Sequence, residues 1–162
     1  MANVFFVGDL HAGHRNVHKF RTQFSSEEEH FQAMKDNYHK VVGKRDKVFF
    51  MGDTAFTLER LQDVSTWAGE RKVLICGNHD LDGLDMKTVS QYYDEVYSLY
   101  RYREFWLSHC PIHPDELRGR RNIHGHTHNY LIEDDRYFNT SLENTGFFPV
   151  DLNYIRKVFG GD

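Results

Sequence analysis

The sequence predicts an α/β fold in which two sheets pack together with helices outside them. Three observations carry this. Short apolar runs alternate with amphipathic helical patterns through the first half. The second half is rich in aromatic and β-branched runs. Side chains able to ligate a metal gather just after the apolar runs, as they do where parallel strands deliver loops to one site.

The first run, NVFFVGD (Asn3–Asp9), is apolar and closed by Gly-Asp, as buried strands are. SSEEEHFQAMKDNYHKVV then reads as a helix. Ser25 or Ser26 with Glu28 or Glu29 three residues on makes a capping box, and Phe31, Met34, Tyr38, Val41 and Val42 fall on one face. DKVFFMGD (Asp46–Asp53) repeats the first pattern, and Leu58, Leu61, Val64 and Ala68 are spaced for a shorter helix. RKVLICGNHD (Arg71–Asp80) is a third strand of the same kind, with a short helix expected over Met86–Tyr93. EVYSLYRYREFWLSHC reads as two strands meeting near Tyr102-Arg103. RRNIHGHTH and DRYFNTS read as further strands, and a last helix is expected from about Asp151.

At 162 residues the chain fits one domain with a sizeable core, and no linker or repeat divides it. With 20 Lys and Arg against 24 Asp and Glu, a whole-surface attraction to nucleic acid or anionic membrane is not expected. No apolar run is long enough to span a membrane, and no signal segment is evident at the N-terminus. Two cysteines make no disulfide framework, so a cytoplasmic, reducing setting is expected. The surplus is in histidine, with 11 copies, the commonest side-chain metal ligand.

Each apolar run ends in the same chemistry. Asp9 and His11 follow the first, Asp53 the second, and Asn78 with His79 the third. His109 in SHCP, and His126 and His128 in HGHTH, follow later strands. On a strand, alternate residues share a face, which would bring His126 and His128 together. Singly, such residues read as capped turns or surface histidines. Their joint, ordered occurrence points to one polar site built from five strand ends.

The series Asp9-x-His11, Gly52-Asp53, Gly77-Asn78-His79-Asp80, His109 and Gly125-His126-x-His128 resembles the calcineurin-like metallophosphoesterases, here in a small, cap-less form like those of prokaryotes and phages. That resemblance implies a four-layer α/β/β/α sandwich of two mixed sheets. It also implies a first metal held by Asp9, His11, Asp53 and His128, and a second by Asp53, Asn78, His109 and His126. Asp53 would bridge the two, and His79 would be the catalytic histidine beside the scissile phosphate.

Oxygen and imidazole ligands without thiolate suit two divalent ions, with Mn²⁺ first and Fe, Zn²⁺ or Ni²⁺ also compatible. Asp9, Asp53 and a bridging hydroxide would return three of the four positive charges and leave a cationic centre for a phosphoryl group. Ions roughly 3.5–4 Å apart would activate a shared water and fix in-line attack. His79 is the expected general acid for the leaving oxygen; a purely hydrogen-bonding role is the alternative. The expectation is hydrolysis of a phosphate ester, a phosphodiester before a monoester, because the Asp-Arg-Gly of the protein-phosphatase branch is missing after Asp53. GDTAFTLER also offers no carboxylate to orient His79. A cap-less site would admit a nucleotide or nucleic acid. A small-molecule phosphomonoesterase and a non-catalytic scaffold of the same fold are the competing readings, and no protein partner can be inferred.

Other residues are read more plainly. His14, Arg15 and Asn16 either touch substrate phosphate or form surface loop, and Arg118, Arg120 and Arg121 are a solvated face or an anion-steering cluster. His113 is a candidate donor behind His109. His124 shares a strand face with His126 but matches no ligand position. His18, His30 and His39 are expected on helix surfaces, and DLDGLD (Asp80–Asp85) as a turn.

Overall fold

A computed structural model describes residues 1–161. The predicted α/β architecture is observed, with two mixed sheets and four α-helices. Strands β1 (Val4–Val7), β2 (Lys47–Phe50), β3 (Arg71–Ile75) and β4 (Glu95–Tyr97) run parallel in the order β4-β3-β2-β1. The antiparallel β9 (Val150–Asp151) completes that sheet beside β1. The second sheet has the order β5-β6-β7-β8, from Leu99–Tyr102, Phe105–Ser108, Arg121–His124 and Tyr137–Asn139. Only its β5–β6 pair is antiparallel.

Alternation along the strands gives the first sheet two apolar faces and the second sheet one. Phe6, Phe49, Met51, Val73 and Ile75 of the first sheet meet Phe105, Leu107 and Ile123 of the second in a buried inter-sheet core. Helix α4 (Leu152–Val158), capped by the Asp151 carboxylate, adds Leu152, Ile155 and Phe159. The opposite face of the first sheet packs Val7, Phe50 and Leu74 against helices α1 (Glu27–Val41) and α2 (Leu58–Ser65). Fully burying each such side chain stabilises the fold by roughly 1.5–3 kcal/mol. The short α3 (Met86–Val89) leads into a 3₁₀ turn at Ser90–Tyr92.

Several expectations are refined. Ser26 caps α1 by accepting from Glu29 N–H, while Ser25 binds the Glu29 carboxylate. Val41 is exposed, its place on the buried face taken by His30. EVYSLYRYREFWLSHC holds three strands rather than two, because the chain leaves the first sheet after β4 and enters the second at β5, with Ser98 between them. Strand β7 stops at His124, so His126 and His128 are not strand neighbours. Arg121 begins β7 and Arg120 binds the Arg103 carbonyl at that same end, the opposite end of the strand from Gly125. The arginine cluster therefore lies away from the ligand loops, which fits the solvated face and not the anion-steering alternative.

His30 was expected at the surface, yet it is fully buried. Its Nε2 lies 2.9 Å from Arg21 Nη1. Burial, reinforced by that guanidinium, lowers its pKa from the ordinary 6.5 to about 3. The folded protein thus holds His30 neutral in a range where the unfolded chain would protonate it. The resulting stabilisation is fully present above pH 6.5 and is lost as pH falls from there toward 3. Urea unfolding under chelator should show about 2–3 kcal/mol of this loss between pH 7.5 and 4.5, and His30→Gln should remove that share of the pH dependence. An unchanged pH profile in the variant would contradict the assignment.

Candidate metal centre

The loops after β1, β2, β3, β6 and β7 meet at one end of the sandwich, as the sequence predicts. Backbone hydrogen bonds lace them together. Asp9 N–H donates to Gly52 O, His11 N–H to Asp53 O, and Gly125 N–H to His109 O, at 2.9–3.1 Å. Tight turning is needed, and Asp9, His11, Asp53, His126 and His128 all take left-handed backbone with φ of 47° to 71°. Each costs roughly 1–2 kcal/mol relative to ordinary backbone, a strain characteristic of functional sites. Gly52 is needed twice over. Its φ is +91°, and a Cβ there would strike the His109 ring and stand 2.9 Å from Gly77 Cα. A Cβ at Gly125 would press on Asp9 Oδ2 at 2.6 Å.

Two groups of donor atoms result, Asp9 with His11 and His128, and Asp53 with His109 and His126. Asp9 spends Oδ2 on His126 N–H (2.9 Å) and the Ser141 hydroxyl (2.6 Å). Its Oδ1 is buried without a hydrogen-bond partner. Asp53 spends Oδ1 on His79 N–H (2.8 Å) and turns Oδ2 between the groups, 3.7 Å from His11 Nε2 and 3.2 Å from His109 Nε2. His11 Nε2 is also buried and unpartnered, 3.6 Å from Asp9 Oδ1. His126 Nδ1 faces His109 Nε2 at 3.2 Å. Buried polar atoms are ordinarily satisfied, so orphaned lone pairs converging at chelating distances fit metal ions. These two groups can hold metal ions, and Asp53 stands where a shared ligand would.

His126 and His128, expected on one face of a strand, lie instead on a turn, which divides them between the groups as the family resemblance implies. Asn78 is exposed at the end of β3 and lines a cleft with His109. His79 is in neither group; its ring lies 6.0 Å from that of His11. His14 lies beside His11, while Arg15 and Asn16 line the cleft shared with His79. His113 is exposed and caps the turn at Pro114–Glu116, so it does not stand behind His109. His124 is buried with Nδ1 toward Gly125 O and joins neither group.

The surrounding charges fix protonation. Burial alone would raise Asp9, but His11, His109, Ser141 and His128 outweigh it and hold the carboxyl at about 2. Burial likewise opposes ionisation of Asp53, and His109 overcomes it. His109 is disfavoured as a cation by burial, yet Asp53 and Asp9 lift it to about 9. The carboxylates thus draw positive charge into the centre, which divalent cations supply more fully than protons do.

Supporting residues that the sequence did not reveal complete the site. His128 Nδ1–H donates to the Glu143 carboxylate at 3.1 Å, turning Nε2 toward Asp9. Glu143 pairs with the buried Arg21, which also donates to the carbonyls of Asp9 and Leu10. His109 Nδ1–H donates to the Met51 carbonyl, which turns its Nε2 inward. The Asp80 carboxylate, buried, accepts from Gly77, Asp53 and Thr54 N–H at 2.7–2.9 Å and ties two ligand loops together. Asp82, read as part of a turn, holds His79 Nδ1 and so supplies the orienting carboxylate that GDTAFTLER lacks. No pattern of spacing marks Glu143 or Arg21, which come from distant segments.

Carboxylates behind ligating histidines typically support metal affinity by about 10–100-fold. Glu143→Gln should therefore weaken one of two metal-binding events by that factor in calorimetric titration with Mn²⁺ and spare the event at His109. Equal weakening of both events would refute this division.

Fold and site together define a two-sheet α/β sandwich with paired metal-ligand groups at its strand ends. The chain belongs to the family of the Gene 66 protein of Mycobacterium phage L5, with 32% identity across 82% of this chain and 80% of that one. The Gene 66 protein of Mycobacterium phage D29 shares 30% identity across 82% and 81% of the two chains. The uncharacterized protein MJ1445 of Methanocaldococcus jannaschii is 28% identical across 98% and 92%. No family model matches the chain. Among solved structures, the protein of unknown function AQ665 from Aquifex aeolicus shares the fold, with a TM-score of 0.77 over 98% of this chain and all of that one at 24% identity.

Proposed function

We propose that the protein is a dimetal phosphoesterase of calcineurin-like type, acting on a phosphodiester in preference to a monoester. The observation that carries this reading is the pair of aspartates, each with one oxygen bonded to the chain and the other buried among imidazole nitrogens. Divalent ions held there would lower the pKa of a water and draw charge from phosphoryl oxygens. Mn²⁺ is the first candidate, since oxygen and imidazole donors converge without thiolate. Within that reading, Asp53 spaces the two groups. Asn78 adds a neutral donor beside His109, which keeps the centre positive. His79 protonates the leaving oxygen with Asp82 holding its ring, and Arg15 and Asn16 meet the ester from the same cleft. No Asp-Arg-Gly follows Asp53 to grip a dianionic monoester, which favours the diester.

Among the described residues no helix is long and apolar enough to cross a membrane. Cys76 and Cys110 carry free thiols, and we place the protein in a reducing cytoplasm. The test is hydrolysis of bis-p-nitrophenyl phosphate against p-nitrophenyl phosphate by Mn²⁺-loaded protein. Diester turnover abolished by chelator is expected. A monoester preference would reverse the subtype. Bound metal without turnover of either would favour a scaffold.

A further inference from the structure

The mouth of the site has two lobes that share His11 and His14. The smaller, about 340 Å³, contains His79, Asp82, Phe56 and Arg15. The larger, about 520 Å³, opens on the His128 side and contains Phe20, Lys19 and Glu143. Its volume is in the ordinary range of small-molecule sites, roughly 300–1,000 Å³. Phe20 is 76% exposed, an unusual place for a phenyl ring. Its backbone is nonetheless firmly held. Phe20 N–H donates to Val17 O at 3.0 Å, Val17 is buried, and the next residue is the buried Arg21, anchored to Asp9, Leu10 and Glu143. His14 meets the ring edge-on at 5.7 Å and 85°. A phenyl ring exposed to water on a fixed turn, next in sequence to the Arg21 side chain that braces the Asp9 and Glu143 segments, is suited to stacking on a flat ligand.

We propose that the larger lobe binds a planar ring of nucleobase size, stacked on Phe20 and carried on the side of the phosphate that is not released. The leaving group then lies in the smaller lobe, against His79. The assignment of sides rests on the phosphoesterase reading; the stacking surface does not. Stacking of a base on an aromatic side chain tolerates any base, so the lobe selects for a ring and not for a particular one.

The test compares AMP with ribose 5-phosphate, which differ by the base alone, in calorimetric titrations of Mn²⁺-loaded protein. AMP should bind at least about tenfold more tightly. Phe20→Ala should shrink that advantage to within about twofold, and Phe20→Trp should keep or enlarge it. Tyr154→Ala, at an exposed aromatic on α4, serves as the control and should keep it. Equal affinity of the two ligands, no binding of AMP, or an advantage that survives Phe20→Ala overturns the proposal. A second arm compares KM for thymidine 5′-p-nitrophenyl phosphate and methyl p-nitrophenyl phosphate. Turnover without a ring preference leaves the esterase standing and removes the platform. A Phe20-dependent AMP preference in a protein that hydrolyses neither ester keeps the platform and removes the esterase.

Discussion

Asp53→Asn will leave a folded protein that loses at least about a thousandfold in kcat/KM for a diester, a loss of about 4 kcal/mol of transition-state stabilisation. Asparagine matches the shape of the aspartate, and its amide oxygen can still accept the His79 N–H that Asp53 Oδ1 accepts now. What disappears is the charge on Oδ2, the carboxylate oxygen lying between His11 Nε2 and His109 Nε2. Neutralising a ligand of Asp9's group would impair one site; as the shared ligand, Asp53 once neutralised would impair the approach of both ions at once. Metal content measured on the dialysed variant should fall below one equivalent, while circular dichroism remains that of the wild type. Two tightly held equivalents in Asp53→Asn would show that this residue is not the shared ligand.

The two donor groups, Asp9 with His11 and His128 and Asp53 with His109 and His126, were legible in the sequence because the fold repeats one device. An apolar strand ends, glycine permits the turn, and a donor follows, as in Gly8-Asp9 and Gly52-Asp53. Both sheets and most elements follow from the same alternation of apolar runs and helical stripes. What failed had a local cause. His126 and His128 were read as strand residues from their spacing of two, but β7 ends at His124 and the following backbone is left-handed. The turn brings each imidazole to a different donor group, where one strand face would have held them together.

The supporting residues were illegible for another reason. Arg21 reaches Glu143 across 122 positions, and nothing short-range in either segment announces the pair. His30 looked like a polar helix residue because an imidazole needs a buried partner, and although Met34 four residues on shares its face, nothing in the helix announces Arg21. Asp82 reads in the sequence only as part of a turn. The protein-phosphatase pattern places an orienting carboxylate shortly after Asp53, whereas here Asp82 holds the ring from three residues after His79.

That placement sets up the most discriminating result. His79→Gln should retain both metal equivalents, because His79 belongs to neither ligand group and contributes only its backbone N–H to Asp53. It should nevertheless lose about 10²–10⁴-fold in turnover of a diester with an alkoxide leaving group, the usual contribution of a positioned general acid. The loss should be much smaller for a p-nitrophenolate leaving group, which needs little protonation to depart. Asp82→Asn should show the same dependence on leaving group in weaker form, since the imidazole remains but its Nδ1 partner is no longer charged. A structural role for His79 would depress both substrates alike, and a role as metal ligand would lower the metal content. Either pattern would remove His79 from the proton-transfer step.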